Sequence, residues 1–180
     1  MALFTGKGDG GTTKLFDSAA GEGGRIAKSS EVPEALGALD ELNAFLGFVK
    51  MHPGAPERVC AGLRAAQETL FIVQAEVAGA DKRVPEAAAE ELAAVVNAIE
   101  GEIPPVTSFS VAGGTELSAK LDVARTVARR AERRVTAATL AGRSVSPGAK
   151  AYLNRLSSLL FAYARLANHL AGVAEEHPRY

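Results

Sequence analysis

With 180 residues and a formal net charge of −1, the chain is long enough for one domain with a substantial core, and it lacks the global basic excess that binds nucleic acid. Apolar residues at 47% and charged residues at 23% match ordinary globular usage, which excludes a disordered or fibrous chain. A lone cysteine, Cys60, excludes an intramolecular disulfide, and no charged-then-apolar leader precedes the first polar loop, so a cytoplasmic location is expected. No apolar run reaches membrane-spanning length, and no membrane partner is expected.

The chain opens on TGKGDGGTTKL, Thr5 to Leu15, a polar, glycine-rich arm that can neither form a good helix nor bury much surface. From Val32 to Val49, Leu36, Leu39, Leu42, Leu46 and Val49 recur at three- and four-residue steps, and Pro33 fits the first turn of the helix they predict. MHPGAPE, Met51 to Glu57, ends that helix and starts a second. There Val59, Leu63, Ala66, Leu70, Val73 and Val77 alternate in steps of four and three, the mark of a bundle element.

After a turn around Asp81 to Pro85, a third, alanine-rich helix carries Leu92, Val95, Val96 and Ile99 and ends near Gly101. VTSFSVAGG, Val106 to Gly114, loses the helical period and is expected to be extended. A fourth helix from Thr115 to about Leu140 turns Leu117, Leu121, Ala124, Ala128 and Val135 inward, with Gly142 placed to cap it. Ser146 and Pro147 start a fifth, with Tyr152, Leu153, Leu156, Leu160, Tyr163, Ala167 and Leu170 on one stripe.

Short connections between long amphipathic helices favour antiparallel neighbours. The expected fold is therefore all-α: a five-helix up-and-down bundle with an extended, Gly-rich N-terminal arm. It forms a single domain over residues 1–180, with an arm over 1–30, a bundle over 31–173 and a tail over 174–180. A mixed α+β domain built on the N-terminal segment is the alternative, but one extended run outside the helices gives it little to pair with.

Three polar features carry possible chemistry. In the arm, glycines let backbone N–H groups converge on an anion while Thr and Lys add donors, although Lys7 lies between glycines rather than in a P-loop arrangement; a plain flexible terminus is the competing reading. Between Leu117 and Val135 there are six basic residues against two acidic ones. Arg125, Arg129 and Glu132 project from one face, whereas Arg130, Arg133 and Arg134 spread around it. Guanidinium forks beside a carboxylate suit a polyphosphate, and equally a solvated helix face. In LGALDELNAFLG, Leu36 to Gly47, Asp40 falls at the margin of the apolar stripe and Asn43 inside it. Asp40 then needs a cation, for which Arg125 is one candidate, and Asn43 needs a partner such as neighbouring backbone. His52, His169 and His177 lie in no metal-ligand spacing, and Ser157 and Ser158 lack nucleophile-elbow glycines.

Taken in order, TGKGDGGTTKLF, then RIAKSS with EALGALDELNAFLG, then ARTVARRAERRV, then YLNRLSSLLFAYAR resemble the signature segments of the PduO-type ATP:cob(I)alamin adenosyltransferases. The resemblance implies a five-helix bundle assembled as a homotrimer, with ATP between the N-terminal arm of one subunit and the arginine helix of another. It implies that Thr5, Gly6, Lys7, Gly8, Thr12, Thr13 and Lys28 bind ATP together with Arg129, Arg130, Glu132, Arg133 and Asn154. It further implies that Phe109 occupies the lower face of cobalamin, that Asp40 and Arg125 form the pair closing the corrin pocket, and that Arg125, Arg129, Asp40 and Phe109 serve catalysis. The implied reaction moves the 5′-deoxyadenosyl group of ATP to the cobalt of cob(I)alamin, with Mg²⁺ as cofactor and tripolyphosphate as leaving group. A cob(II)alamin reductase and an adenosylcobalamin-dependent acceptor enzyme are the implied partners. Ala112 stands where the family usually has proline before Gly113 and Gly114. A non-catalytic ATP- and cobalamin-binding module and a structural bundle that binds an acidic partner through its arginine face are the rival readings.

Overall fold

The computed structural model describes residues 4–16 and 24–180. Positions 1–3 and 17–23 of the arm lie outside the described residues. Five helices follow a short hairpin: α1 Glu31–Lys50, α2 Glu57–Ala78, α3 Ala88–Glu100, α4 Glu116–Leu140 and α5 Pro147–Leu170. The hairpin pairs β1, Thr12–Lys14, antiparallel with β2, Arg25–Ala27, and sets Thr13 opposite Ile26. Three-residue strands are too short to show alternation in a sequence, so the arm's pairing was not foreseen.

The apolar stripes become the core. Val59, Leu63, Ala66, Leu70, Val73 and Val77 are fully buried, as are Leu39, Leu42, Leu46 and Val49 of α1. Each such branched side chain contributes about 1.5 to 3 kcal/mol by leaving water. α1 packs on α2 and α4, and α5 packs on α4 and α3. The outer position of α3 explains its thinner stripe: Leu92 and Val96 are half-buried, Ile99 is buried, and Val95 faces solvent. Leu170, at the last position of α5, is likewise exposed.

Ion pairs along the outside reveal the helix directions. Glu34 near the start of α1 meets Arg134 late in α4 at 3.6 Å, Glu41 meets Arg130 at 2.5 Å, and His52 beyond α1 approaches Glu116 at the start of α4 at 3.8 Å. α1 and α4 are therefore antiparallel. α2 and α5 are antiparallel too. Glu76, near the end of α2, receives the Ser146 N–H at 2.5 Å at the start of α5, while Gly62 near the other end faces Tyr163. Gly62 is required there, since a Cβ would collide with the buried Tyr163 hydroxyl.

Capping follows the sequence closely at α5 and α4. The Ser146 hydroxyl accepts the Ala149 N–H at 3.1 Å, and its own hydroxyl and N–H both reach the buried Glu76 carboxylate, a negative charge well placed at a helix N-terminus. Thr115 caps α4 by accepting the Ser118 N–H. Gly142, at φ +98°, ends α4.

Candidate active site

The arginine face of α4 opens onto a cavity of about 390 Å³ lined by Arg125 and Arg129 from α4, Ser157, Ser158 and Phe161 from α5, and Phe109 with its neighbours from the 106–114 segment. Helical spacing explains the convergence. Arg125 and Arg129 are one turn apart on α4, and Ser157, Ser158 and Phe161 lie on the facing side of the antiparallel α5. The Arg125 guanidinium stands over the Phe161 ring, with its carbon 5.8 Å from the ring centre. One turn further along α4, Glu132 accepts a hydrogen bond from the Asn154 side chain of α5 at 2.9 Å. Arg129, Glu132 and Asn154 are thus brought together, and Arg125 and Phe109 adjoin them.

Arg125 does not meet Asp40 within the chain. Its Nε donates to Asp122 at 3.2 Å, and Asp122 also accepts the Gly113 N–H at 3.3 Å. Asp122 is buried and ties the Phe109 segment to Arg125. Sequence reading counted it only as an acidic residue in the basic stretch; its position next to the inward-facing Leu121 was the available signal. Asp40 is exposed at the α1–α2 groove, beside Phe71 and Gln74. Asn43 is buried and bonds backbone, reaching the Gln67 carbonyl at 3.5 Å, while the Gln67 side chain returns a bond of 3.0 Å to the Asn43 carbonyl.

Of the remaining basic residues on α4, Arg130 and Arg134 hold α1, as described. Arg129 and Arg133 are exposed and make no ion pair among the described residues.

Phe109 is 79% exposed, yet its segment is anchored. Gly113 and Gly114 take φ of +125° and +99°, conformations that exclude other residues at low cost. A Cβ on Gly114 would come within 2.6 Å of the Asn168 side-chain oxygen. That buried amide donates to the Gly113 carbonyl at 2.8 Å and accepts the Thr115 N–H at 2.9 Å. Ala112 at the position preceding this pair leaves both glycines and Phe109 in place.

The arm folds on itself. Arg25 donates to the Thr12 hydroxyl at 2.9 Å, to the Thr12 carbonyl at 2.8 Å and to the Lys7 carbonyl at 2.5 Å. The Lys28 N–H bonds the Gly11 carbonyl at 2.9 Å, and its ammonium passes so close to Gly8 that a Cβ there would lie 3.1 Å away. Gly6, Lys7, Gly8, Thr12 and Lys28 therefore cluster, with Thr13 on the hairpin and Thr5 at the entry. Arg25 was missed as an organiser, although it is the one arginine in the sequence of the arm. Among the described residues no hydrogen bond or ion pair joins the arm to α4.

Among the described residues no group of three or more His, Cys, Asp or Glu is placed to hold a metal ion. Nor is any helix long and apolar enough to cross a membrane.

Residues 3–167 match the model of the cobalamin adenosyltransferase family, and the chain belongs to that family. It is 35% identical over 182 residues to the corrinoid adenosyltransferase of Bacillus subtilis, covering 97% of this chain and 91% of that one. It is 39% identical over 176 residues to the corrinoid adenosyltransferase PduO of Citrobacter freundii, covering 94% of this chain but only half of that longer protein. Among solved structures, a phenylalanine-to-histidine variant of the PduO-type ATP:corrinoid adenosyltransferase from Lactobacillus reuteri, complexed with cobalamin and ATP, superposes with a TM-score of 0.89. That match has 27% identity and covers 99% of this chain and 97% of that one.

Proposed function

We propose that this protein transfers the 5′-deoxyadenosyl group of ATP to the cobalt of cob(I)alamin, forming adenosylcobalamin and tripolyphosphate. The observation that carries the reading is the single cavity that joins Arg125 and Arg129 to Phe109, next to the Glu132–Asn154 pair. Cationic and aromatic lining suits a reaction between a triphosphate and a flat, largely apolar macrocycle.

In the reaction a cobalt–carbon bond forms as the C5′–oxygen bond breaks. Co(I) supplies the electron pair, and the triphosphate leaves with the pair of the broken bond. Cob(I)alamin is itself the nucleophile, so the protein needs no general base; it must align C5′ and stabilise charge on the leaving group. Arg129 and Arg133, which pair with no carboxylate among the described residues, serve the leaving group, with Arg130 turning from Glu41 to join them. Glu132 and Asn154, already bonded to each other, fix an Arg or a ribose hydroxyl. Thr5, Gly6, Lys7, Gly8, Thr12, Thr13 and Lys28 cradle the phosphates and the nucleoside. Phe109 offers an apolar ring to the lower face of the corrin, excluding water and the nucleotide base so that four-coordinate cob(II)alamin is more readily reduced.

Mg²⁺ fits this site only as an ion held mainly by phosphate oxygens and water, since no described carboxylate cluster provides a cage. When bound it neutralises charge on the leaving triphosphate. The absence of any hydrogen bond or ion pair between the arm and α4 among the described residues supports a homotrimer in which the arm of one subunit reaches the arginine face of the next. Exposed Phe71 beside Asp40, together with the buried Gln74 side-chain nitrogen, which has no hydrogen-bond partner among the described residues, supports the α1–α2 face as the surface covered on assembly. There Asp40 comes within reach of a neighbouring Arg125. The cytoplasm is the proposed setting, with a cob(II)alamin reductase upstream and an adenosylcobalamin-dependent enzyme downstream.

The test is an anaerobic assay with ATP and chemically reduced cobalamin, read by the visible spectrum of the corrin. Arg129→Ala should lose a charge-assisted contact worth about 1.5 to 3 kcal/mol, a roughly 10- to 150-fold fall in turnover with the helical content retained. Undiminished turnover in that variant sinks the site assignment.

A further inference from the structure

The ends of the Phe109 segment are held by the bundle: Arg165 donates to the Pro104 carbonyl at 2.7 Å, and Asn168 and Asp122 hold Gly113. Its middle is held differently. The Val111 N–H bonds the Glu176 carbonyl at 2.7 Å, and His177 Nδ1 lies 2.8 Å from the Ser108 hydroxyl and 3.0 Å from the Phe109 carbonyl oxygen. Since a carbonyl only accepts, the Phe109 contact is a hydrogen bond in the tautomer with the proton on Nδ1. These partners belong to the C-terminal tail, which follows the turn at Gly172 and is itself fastened at two points. The Val173 N–H bonds the Asn168 carbonyl at 2.9 Å, and the buried Arg165 guanidinium donates to Glu175 at 2.6 Å. Arg165 therefore grips both the root of the segment and the tail that closes over it.

We propose that the tail, through His177 and the Arg165–Glu175 pair, is a positioning element for Phe109. A ring 79% exposed has too little packing to fix its own place, so its backbone must do so. An irregular backbone without a ladder is only as fixed as the groups that satisfy it. The cavity wall that carries Phe109 is thus set by residues outside the cavity lining. The role rests on the adenosyltransferase reading, because it is the lower face of the corrin that a displaced Phe109 would fail to cover.

The experiment compares wild type, His177→Ala and His177→Asn, the last because an Asn amide occupies the place of Nδ1. Each is mixed with ATP and cob(II)alamin, and the four-coordinate fraction is read by electron paramagnetic resonance. His177→Ala should lower that fraction roughly tenfold, with turnover on preformed cob(I)alamin and the KM for ATP nearly unchanged, and His177→Asn should restore most of it. An unchanged fraction in His177→Ala overturns the proposal. Amide exchange at Val111 reads the clasp without substrate: protection in wild type and its loss in His177→Ala is expected, and equal exchange in both overturns it. A wild-type protein that makes no adenosylcobalamin from preformed cob(I)alamin sinks the adenosyltransferase reading instead, and the exchange result still decides the clasp.

Discussion

Two stretches leave the helical period, the arm around Thr5–Leu15 and the segment around Val106–Gly114, and both depend on glycines at positive φ. The arm is tied to itself, through the β1–β2 pairing and the Arg25 guanidinium. The Phe109 segment is tied to everything around it: α4 through Asp122, α5 through Arg165 and Asn168, and the tail through Glu176 and His177. A segment anchored to a core inherits the stability of that core, whereas a self-tied hairpin opens at little cost. The difference suits their proposed roles, since the wall against the corrin must hold still and the arm must wrap a nucleotide.

Matched glycine substitutions should break the comparison most sharply. Gly114→Ala meets both the positive φ and the Asn168 amide, and should cost about 2 to 4 kcal/mol of unfolding free energy in urea. Gly11→Ala has a positive φ but open space around it, and should leave global unfolding unchanged because the arm is outside the core. Equal losses would mean that the arm is part of the cooperative unit.

Arg25→Ala should come next, raising the KM for ATP by roughly tenfold while the KM for cobalamin and the melting temperature stay put. A shift in melting temperature would show that the hairpin leans on the bundle after all. The smallest effect concerns Glu102, just upstream of the Phe109 segment, whose carboxylate Arg58 hydrogen-bonds at 2.7 and 2.8 Å and holds below its usual range. Its contribution is complete above the ordinary carboxylate pKa and is lost as pH falls through the lowered one. Thermal melts of Glu102→Gln should therefore lie slightly below wild type at neutral pH and converge with it in acid; a constant gap would place the effect elsewhere.

The helices were legible because a buried stripe repeats, and α1, α2, α4 and α5 begin within two residues of where Pro33, Glu57, Thr115 and Pro147 put them, with α4 ending just before Gly142. Arg125, Arg129 and Glu132 could be set on one face by the same periodicity. What periodicity cannot show is a bond between a side chain and distant backbone. Glu76 on the α5 N-terminus, Asn168 on Gly113 and Arg165 on Pro104 each span more than fifty residues of chain. The β1–β2 hairpin was too short to see, and Asp122 looked like one more surface charge. Asp40 and Arg125 were matched through family resemblance, and a single chain keeps them apart.

Tyr163, which forces Gly62 to be glycine, has a further use. The chain has no tryptophan and three tyrosines, of which Tyr152 and Tyr163 are sealed among the helices while Tyr180 ends the tail in full solvent. Burial pushes both sealed phenols up from their ordinary range. In strong alkali their ultraviolet tyrosinate absorbance will therefore rise only as the helices part, so the protein carries its own optical clock for the opening of its interior, with no dye or label added.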